Sequence, residues 1–209
     1  LSDESDRTPD GGYPLRRNSA RALGKLGDLT AVPALIHCLA CPDYYVREAA
    51  AQSLGKLGDR ACLPTLISLL DGGIAAAAPI PNCPHLAQPY DAILEALGAL
   101  GATEAKELIE PFLEHSTELV QYAAARAMYQ LTGNSAYGDC LIAALSGDKL
   151  RLRRAALTDI GAIGYLAAAE PIAQTLAENS LKLISLKGVL EHHLSQSEPL
   201  AISEDVLRV

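Results

Sequence analysis

The sequence predicts an all-α solenoid, a row of about five to six two-helix repeats. Three observations predict it. A 14-residue unit recurs: LRRNSARALGKLGD at 15–28 returns 31 positions later as VREAAAQSLGKLGD at 46–59. Self-similarity at such a period marks stacked repeats. Apolar residues fall at helical spacing within each unit, not in alternation. Composition agrees, since alanine and leucine dominate, aromatics are 4% and tryptophan is absent. A β-sandwich uses more aromatic and β-branched mass, whereas Ala and Leu favour helix.

The copies follow in order. After those at Leu15 and Val46 come PYDAILEALGALGA at Pro89, VQYAAARAMYQLTG at Val120 and LRRAALTDIGAIGY at Leu152. A partial sixth begins near Leu183. The steps are 31, 43, 31, 32 and about 31 residues, so one step breaks the period. Within copy two, Val46, Ala49, Ala50, Leu54 and Leu57 form one stripe of a first helix. Gly-x-x-Gly-Asp ends it, and both glycines read as helix-stop residues. A shorter second helix follows, with Leu63, Leu66, Ile67 and Leu70 inward. Pro33 and Pro64 stand near the starts of second helices, where the missing N–H costs little. Two such helices cannot bury their faces alone, but stacked neighbours can.

The long step holds 71–89, DGGIAAAAPIPNCPHLAQP, with four prolines and two glycines. It reads as a loop inserted between repeats two and three, with one helical turn around Ile74–Ala78. The whole of 1–209 is expected to form a single domain. The only methionine is Met128, so residues are expected to precede Leu1.

The net charge of −8 argues against a nucleic-acid binder or a polybasic membrane-surface protein. No apolar run reaches membrane-spanning length. Five cysteines, an odd number, point to a reduced, cytoplasmic protein and not to a disulfide framework. Cys38, Cys41, Cys62 and Cys140 read as small buried apolar residues. No metal site is expected, and no phosphate loop or nucleophile elbow is present.

The unit V-R-x-x-A-A-x-x-L-G-x-L-G-D with its short Leu-rich partner helix resembles the HEAT-like repeat of phycobilin lyases. The stretch RRAALTDIGAIGYLAAAEPIAQTLAENSLKLISLKGVLEHHL, 153–194, is similar to the E subunit of the heterodimeric E/F-type lyases. The resemblance spans nearly the whole chain. It implies a cyanobacterial enzyme of the phycobilisome antenna. Such an enzyme joins phycocyanobilin to a cysteine of the phycocyanin α-subunit through a thioether, active as a heterodimer with an F-type subunit. Phycocyanobilin is then the substrate, with no permanently bound cofactor. The alternative is a non-catalytic HEAT-repeat scaffold or chaperone that grips a protein on its concave face.

The resemblance also implies that the Val-Arg helices line the concave face. Aligned copies then give three rows. The first is Arg16, Arg47, Tyr90, Gln121 and Arg153; the next is Arg17, Glu48, Asp91, Tyr122 and Arg154. The third is Arg21, Gln52, Glu95, Arg126 and Thr158. Arginine forks suit the two propionates of a bilin, a carboxylate suits its pyrrole N–H groups, and tyrosine faces suit its rings. Hence Arg17, Tyr122, Arg153 and Arg154 are candidate bilin-binding residues, and Asp91 and Tyr90, which break the repeat pattern, are candidate catalytic ones. An arginine after the repeat valine can equally bond the preceding loop, and Asp91 can equally cap its helix after Pro89. Cys83 and His85 in the insertion, a thiol–imidazole pair able to hold a bilin transiently and to fold over Tyr90 and Asp91, are candidate bilin-binding residues as well. His192 and His193 do not make a metal pair, since adjacent helical residues point apart. The stretch 181–194 is apolar on several sides, and part of it is expected to be covered by another chain or further residues.

Overall fold

The computed structural model describes residues 5, 7–9 and 11–196. Among them are twelve α-helices and no strand. In order these are α1 Pro14–Leu26, α2 Val32–Cys38, α3 Tyr44–Leu57, α4 Leu63–Ser68, α5 Gly73–Ala76, α6 Tyr90–Ala99, α7 Lys106–Ile109, α8 Glu118–Thr132, α9 Ser135–Ser146, α10 Leu150–Ile163, α11 Ala169–Gln174 and α12 Asn179–Gln196. The chain falls into two compact units, one ending at Gly133 and the other beginning at Asn134.

In the first unit the Val-Arg helices α1, α3, α6 and α8 pack side by side, and the short helices form a second layer behind them. The motif Gly-Lys-Leu-Gly now divides into two functions. Gly58 has φ +77° and is the left-handed C-cap of α3, as the sequence predicts. Gly55 lies inside the helix, and a Cβ there would come within 2.9 Å of the Ala96 Cα. The first glycine is therefore a point of close helix approach and not a helix stop, because only a residue without Cβ lets two backbones meet so closely. Toward α1, the same helix is fastened by Ser53, buried, whose hydroxyl donates to the Ala20 carbonyl at 2.9 Å.

Asp43 fixes where α3 begins. Its Oδ1 accepts the Tyr45 N–H at 2.8 Å, an N-cap bond, and its Oδ2 accepts the Tyr13 N–H at 2.7 Å from the residue preceding α1. Pro14, Pro33 and Pro64 occupy the first turns of α1, α2 and α4, as expected from proline's missing donor.

The insertion is tied down at both ends. Its beginning carries α5 near the expected turn. The Ala77 carbonyl accepts from Nε2 of buried His115 at 2.9 Å, while the other ring nitrogen of His115 accepts the Thr117 N–H at 2.9 Å. One imidazole thus bonds the insertion and the entrance to α8 together, in its neutral tautomer. Further along, the Cys83 N–H donates to the Ile80 carbonyl, with Pro81 second and Asn82 third at φ +60°. That is the turn chemistry of a Pro-Asn pair.

In the second unit, α10 packs against α12 and α9. Ser185 repeats the role of Ser53, donating to the Leu157 carbonyl at 2.5 Å where a Cβ on Gly161 would meet backbone at 2.9 Å. His193 Nε2 donates to the Gly164 carbonyl at 2.9 Å, at the end of α10. This histidine therefore closes a helix end within its own unit. The apolar character of α12 divides: Ser185 and Val189 are buried, while Leu183 and Ile184 are 65% and 64% exposed, as is Leu176 just before it at 79%. Residues 197–209, including Leu207, Arg208 and Val209, lie outside the described residues.

Candidate functional site

In the first unit, aromatic and charged groups converge where the insertion ends. Tyr44 and Tyr45 open α3. The Tyr44 ring stacks on His85 from the insertion, centroids 4.2 Å apart and planes at 12°. Tyr45 stands edge-on to both, at 5.5 Å from Tyr44 and 6.2 Å from His85. Such offset and edge contacts are favoured by the ring quadrupoles. Two guanidinium groups flank the rings: Arg17 lies 6.0 Å from the Tyr45 centroid and Arg47 5.8 Å from that of Tyr44.

Arg47 is what seats the loop. Its Nε donates to Gln88 Oε1 at 3.0 Å and its Nη2 to the Ala87 carbonyl at 2.9 Å. Its Nη1 donates to the carbonyls of Cys41 at 2.7 Å and Pro42 at 3.0 Å. The Cys41 bond reaches six residues back. Arg153 makes the same bond in the second unit, from Nη1 to the Gly147 carbonyl at 2.9 Å. The arginine after the repeat valine or leucine is thus a loop clip in both units, the structural role left open at the sequence level. Arg154 pairs with the exposed Glu178.

The carboxylates approach from α3 and α6. Burial pushes the Tyr44 phenol far above its ordinary range, and the charges of Asp91, Glu48 and Tyr45 push the same way against Arg47. A phenol so placed stays protonated and offers an O–H donor beside carboxylates. Glu48 is held by Arg21 at 3.5 Å, and Glu95, one turn on from Asp91, by Arg126 at 3.7 Å. Asp91 is partly exposed in the first turn of α6, one residue past the helix start. The N-cap position belongs to Pro89, so Asp91 complements the helix dipole without being the cap residue.

Cys83 and His85 do form a pair. The thiol Sγ lies 3.4 Å from Nδ1 and 3.8 Å from Nε2. The Leu86 carbonyl, 3.1 Å from Nδ1, can only accept, so Nδ1 carries the proton and Nε2 is the basic nitrogen. The loop lies over Tyr44, not over Tyr90.

Two predicted site residues are not on an exposed row. Tyr90 is 2% exposed and packs its ring 5.5 Å from Phe112 in the second layer. At the first residue of α6 its side chain turns toward the short helices. Tyr122 is 4% exposed. It precedes three buried alanines of α8. What sequence reasoning missed is Tyr44 with Tyr45, and Gln88 and His115 that hold the loop. The signal for the first pair was available: two adjacent tyrosines in a chain with eight tyrosines and one phenylalanine, immediately before a Val-Arg unit.

Among the described residues no group of three His, Cys, Asp or Glu side chains could hold a metal ion. No helix there is long and apolar enough to cross a membrane.

Residues 7–77 match the family described as HEAT repeats. Over its full length the chain is 64% identical to the phycocyanobilin lyase subunit alpha of Nostoc sp. (strain PCC 7120), covering 76% of that protein. The chain belongs to the phycocyanobilin lyase subunit alpha family. The Synechocystis sp. (strain PCC 6803) member is 60% identical over 97% of this chain and 76% of its own length. The solved complex of CpcE and CpcF of phycocyanin lyase from Nostoc sp. PCC7120 contains a chain that superposes with TM-score 0.91 at 63% identity, over 99% of this chain and 76% of that one. A more distant relative is the bilin biosynthesis protein PecE of Nostoc, 44% identical over 94% of this chain and 74% of its own. The all-α HEAT-repeat fold of this lyase-family chain is therefore shared, as the period predicts.

Proposed function

We propose that this chain is one subunit of a phycocyanobilin lyase and acts with a second, F-type HEAT-repeat subunit. The reaction adds a cysteine thiol of the phycocyanin α-subunit across the ethylidene double bond of the bilin, giving a thioether. The observation that carries this is the full-length 64% identity to a phycocyanobilin lyase subunit. The ring, guanidinium and carboxylate cluster at the end of the insertion supports it, because a bilin needs all three.

The proposal places the bilin against Tyr45 and the Tyr44–His85 stack. Asp91 pairs with protonated pyrrole N–H groups and keeps the tetrapyrrole electrophilic. Arg17 takes a propionate, having no role as a loop clip. Cys83 and His85 border the rings, with the Nε2 of His85 3.8 Å from the Cys83 sulfur. Tyr90 and Tyr122 act from beneath, holding α6 and α8 at the height that presents Asp91. Much of the acceleration is positioning and restraint of a flexible chromophore. The reading carries with it a single solenoid over 1–209, supported by the repeat period continuing from Val120 to Leu152. It also carries a cytoplasmic location, supported by five free thiols.

The test is co-expression with the second subunit, bilin biosynthesis and the apo-phycocyanin α-subunit. Covalent colour on a denaturing gel, absent when this chain is omitted, is the expected result. Equal colour without this chain contradicts the proposal.

A further inference from the structure

The end of α2 carries a second thiol site, remote from the Cys83–His85 pair in sequence. Cys38-Leu39-Ala40-Cys41 has the C-x-x-C interval. Three successive bonds of the tighter type close the helix: Leu39 N–H to Ile36, Ala40 N–H to His37 and Cys41 N–H to Cys38, at 3.1, 3.2 and 3.1 Å. In such an overwound turn the side chains at i and i+3 eclipse. A turn closed by that bond keeps its end Cα atoms within about 7 Å, the span a disulfide bridges. Leu39 has φ −64° and ψ −19°, the unstrained geometry of the same turn.

The repeat does not demand these thiols. Thirty-one residues on, the corresponding positions are Leu69 and Gly72. A leucine equivalent explains Cys38 as filler; a glycine equivalent does not explain Cys41. The two thiols also differ. Cys41 is 7% exposed and lines an open pocket of about 360 Å³ with Ile36, Pro42 and Leu69. Its Sγ accepts from Arg16 Nη1 at 3.6 Å, and that guanidinium is stacked on Tyr13 at 4.2 Å. Cys38 is 3% exposed, and burial, then the neighbouring sulfur, raise its thiol above the ordinary range. Cys41 thus borders the pocket, and Cys38 is the more deeply buried of the two.

We propose that Cys38 and Cys41 form a reversible dithiol–disulfide site whose reaction partner is a disulfide, small or borne by a dithiol oxidoreductase. The Cys41 thiolate attacks one sulfur of the incoming disulfide. An S–S bond forms to it, and the other half leaves as a thiolate and takes a proton. Cys38 then loses its proton to solvent and attacks the Cys41 sulfur, expelling the second half. Two thiols of this chain are oxidised by two electrons and one external disulfide is reduced to two thiols. In reducing compartments such transient disulfides serve sensing more than structure. The Cys41 carbonyl also accepts from Arg47, the residue that seats the insertion, so closing the disulfide loosens the loop that carries Cys83.

The experiment equilibrates the chain with its partner subunit against graded ratios of reduced to oxidised glutathione. Alkylation and peptide mass mapping follow. The expected product is a Cys38–Cys41 link, reversed by dithiothreitol. Cys38→Ser should stop at a glutathione adduct on Cys41, whereas Cys41→Ser should leave Cys38 unmodified. The labelling rate of Cys83 should change severalfold on oxidation. Cys38 and Cys41 both still alkylated at ratios that modify the exposed Cys140 would overturn the site. Modification of Cys38 in the Cys41→Ser chain would overturn the order of attack, and an unchanged Cys83 rate would overturn the link to the loop.

Discussion

The two units use the same repeat register for different ends. In the first, the arginine of the row, Arg47, clips the preceding loop and also holds Ala87 and Gln88 of the insertion. In the second, Arg153 clips the preceding loop at Gly147 and no insertion is there to hold. The next row differs further. Arg17 lies against Tyr45, whereas Arg154 lies against Glu178. Residues at equivalent positions therefore have one shared structural bond, and chemistry is added only where the insertion brings rings and a thiol to the helix ends. A repeat position predicts geometry well; its function depends on what the irregular segment places beside it.

Substituting the two clips should expose that difference most strongly. Arg47→Ala removes four hydrogen bonds from a cation and frees the insertion. It should cost about 2–4 kcal/mol of unfolding free energy. Arg153→Ala removes one carbonyl bond and should cost about 1 kcal/mol. Chemical denaturation of the two variants measures both, and equal losses would remove the insertion from the comparison.

The second row sharpens it through the ligand. Arg17→Ala should weaken phycocyanobilin binding by about 1–3 kcal/mol, a charged hydrogen bond left unmade, with melting little changed. Arg154→Ala, whose guanidinium already has a carboxylate on the surface, should weaken it less. A bilin titration in which Arg154→Ala loses more would shift the site toward the second unit.

A smaller effect concerns pH. The folded chain raises the Tyr44 phenol above its ordinary value of 10.0. The folded state therefore keeps a proton that the unfolded chain has released. Its contribution to stability is complete below about pH 10 and fades as the pH rises beyond. Melting followed from about pH 9 to 11 should fall less steeply in Tyr44→Phe than in the parent chain. Parallel curves would show that burial, with the charges of Asp91 and Glu48, does not hold the Tyr44 phenol above its ordinary range.

Much of this was legible in the sequence. The 31-residue period gave the helices, their proline starts and their Gly58-type ends, because stripe, stop and cap are local properties. The pairing of Cys83 with His85 was legible from proximity alone. Tyr90 and Tyr122 were misplaced for a physical reason: helical register fixes an angle along one helix, but not what distant segments bring against it, as Phe112 is brought against Tyr90. Gly55 was misread likewise, since a glycine for close approach and one for a left-handed cap look alike in a string. The stack on Tyr44 depends on where Arg47 and His115 fasten the insertion, contacts 38 to 41 residues apart in sequence that no local pattern encodes. Cys38 and Cys41 were read as filler because burial was weighed and their C-x-x-C interval, plain in the sequence, was overlooked.

The most direct test is the rate at which the assembled lyase carrying Asp91→Asn attaches phycocyanobilin to the phycocyanin α-subunit. The substitution keeps size and one acceptor and removes the charge beside Tyr44. With Asp91 holding the bilin in its protonated form, attachment should slow by about 10²-fold or more while melting temperature and subunit assembly are retained. Attachment at the parent rate by a fully folded Asp91→Asn chain would contradict the account.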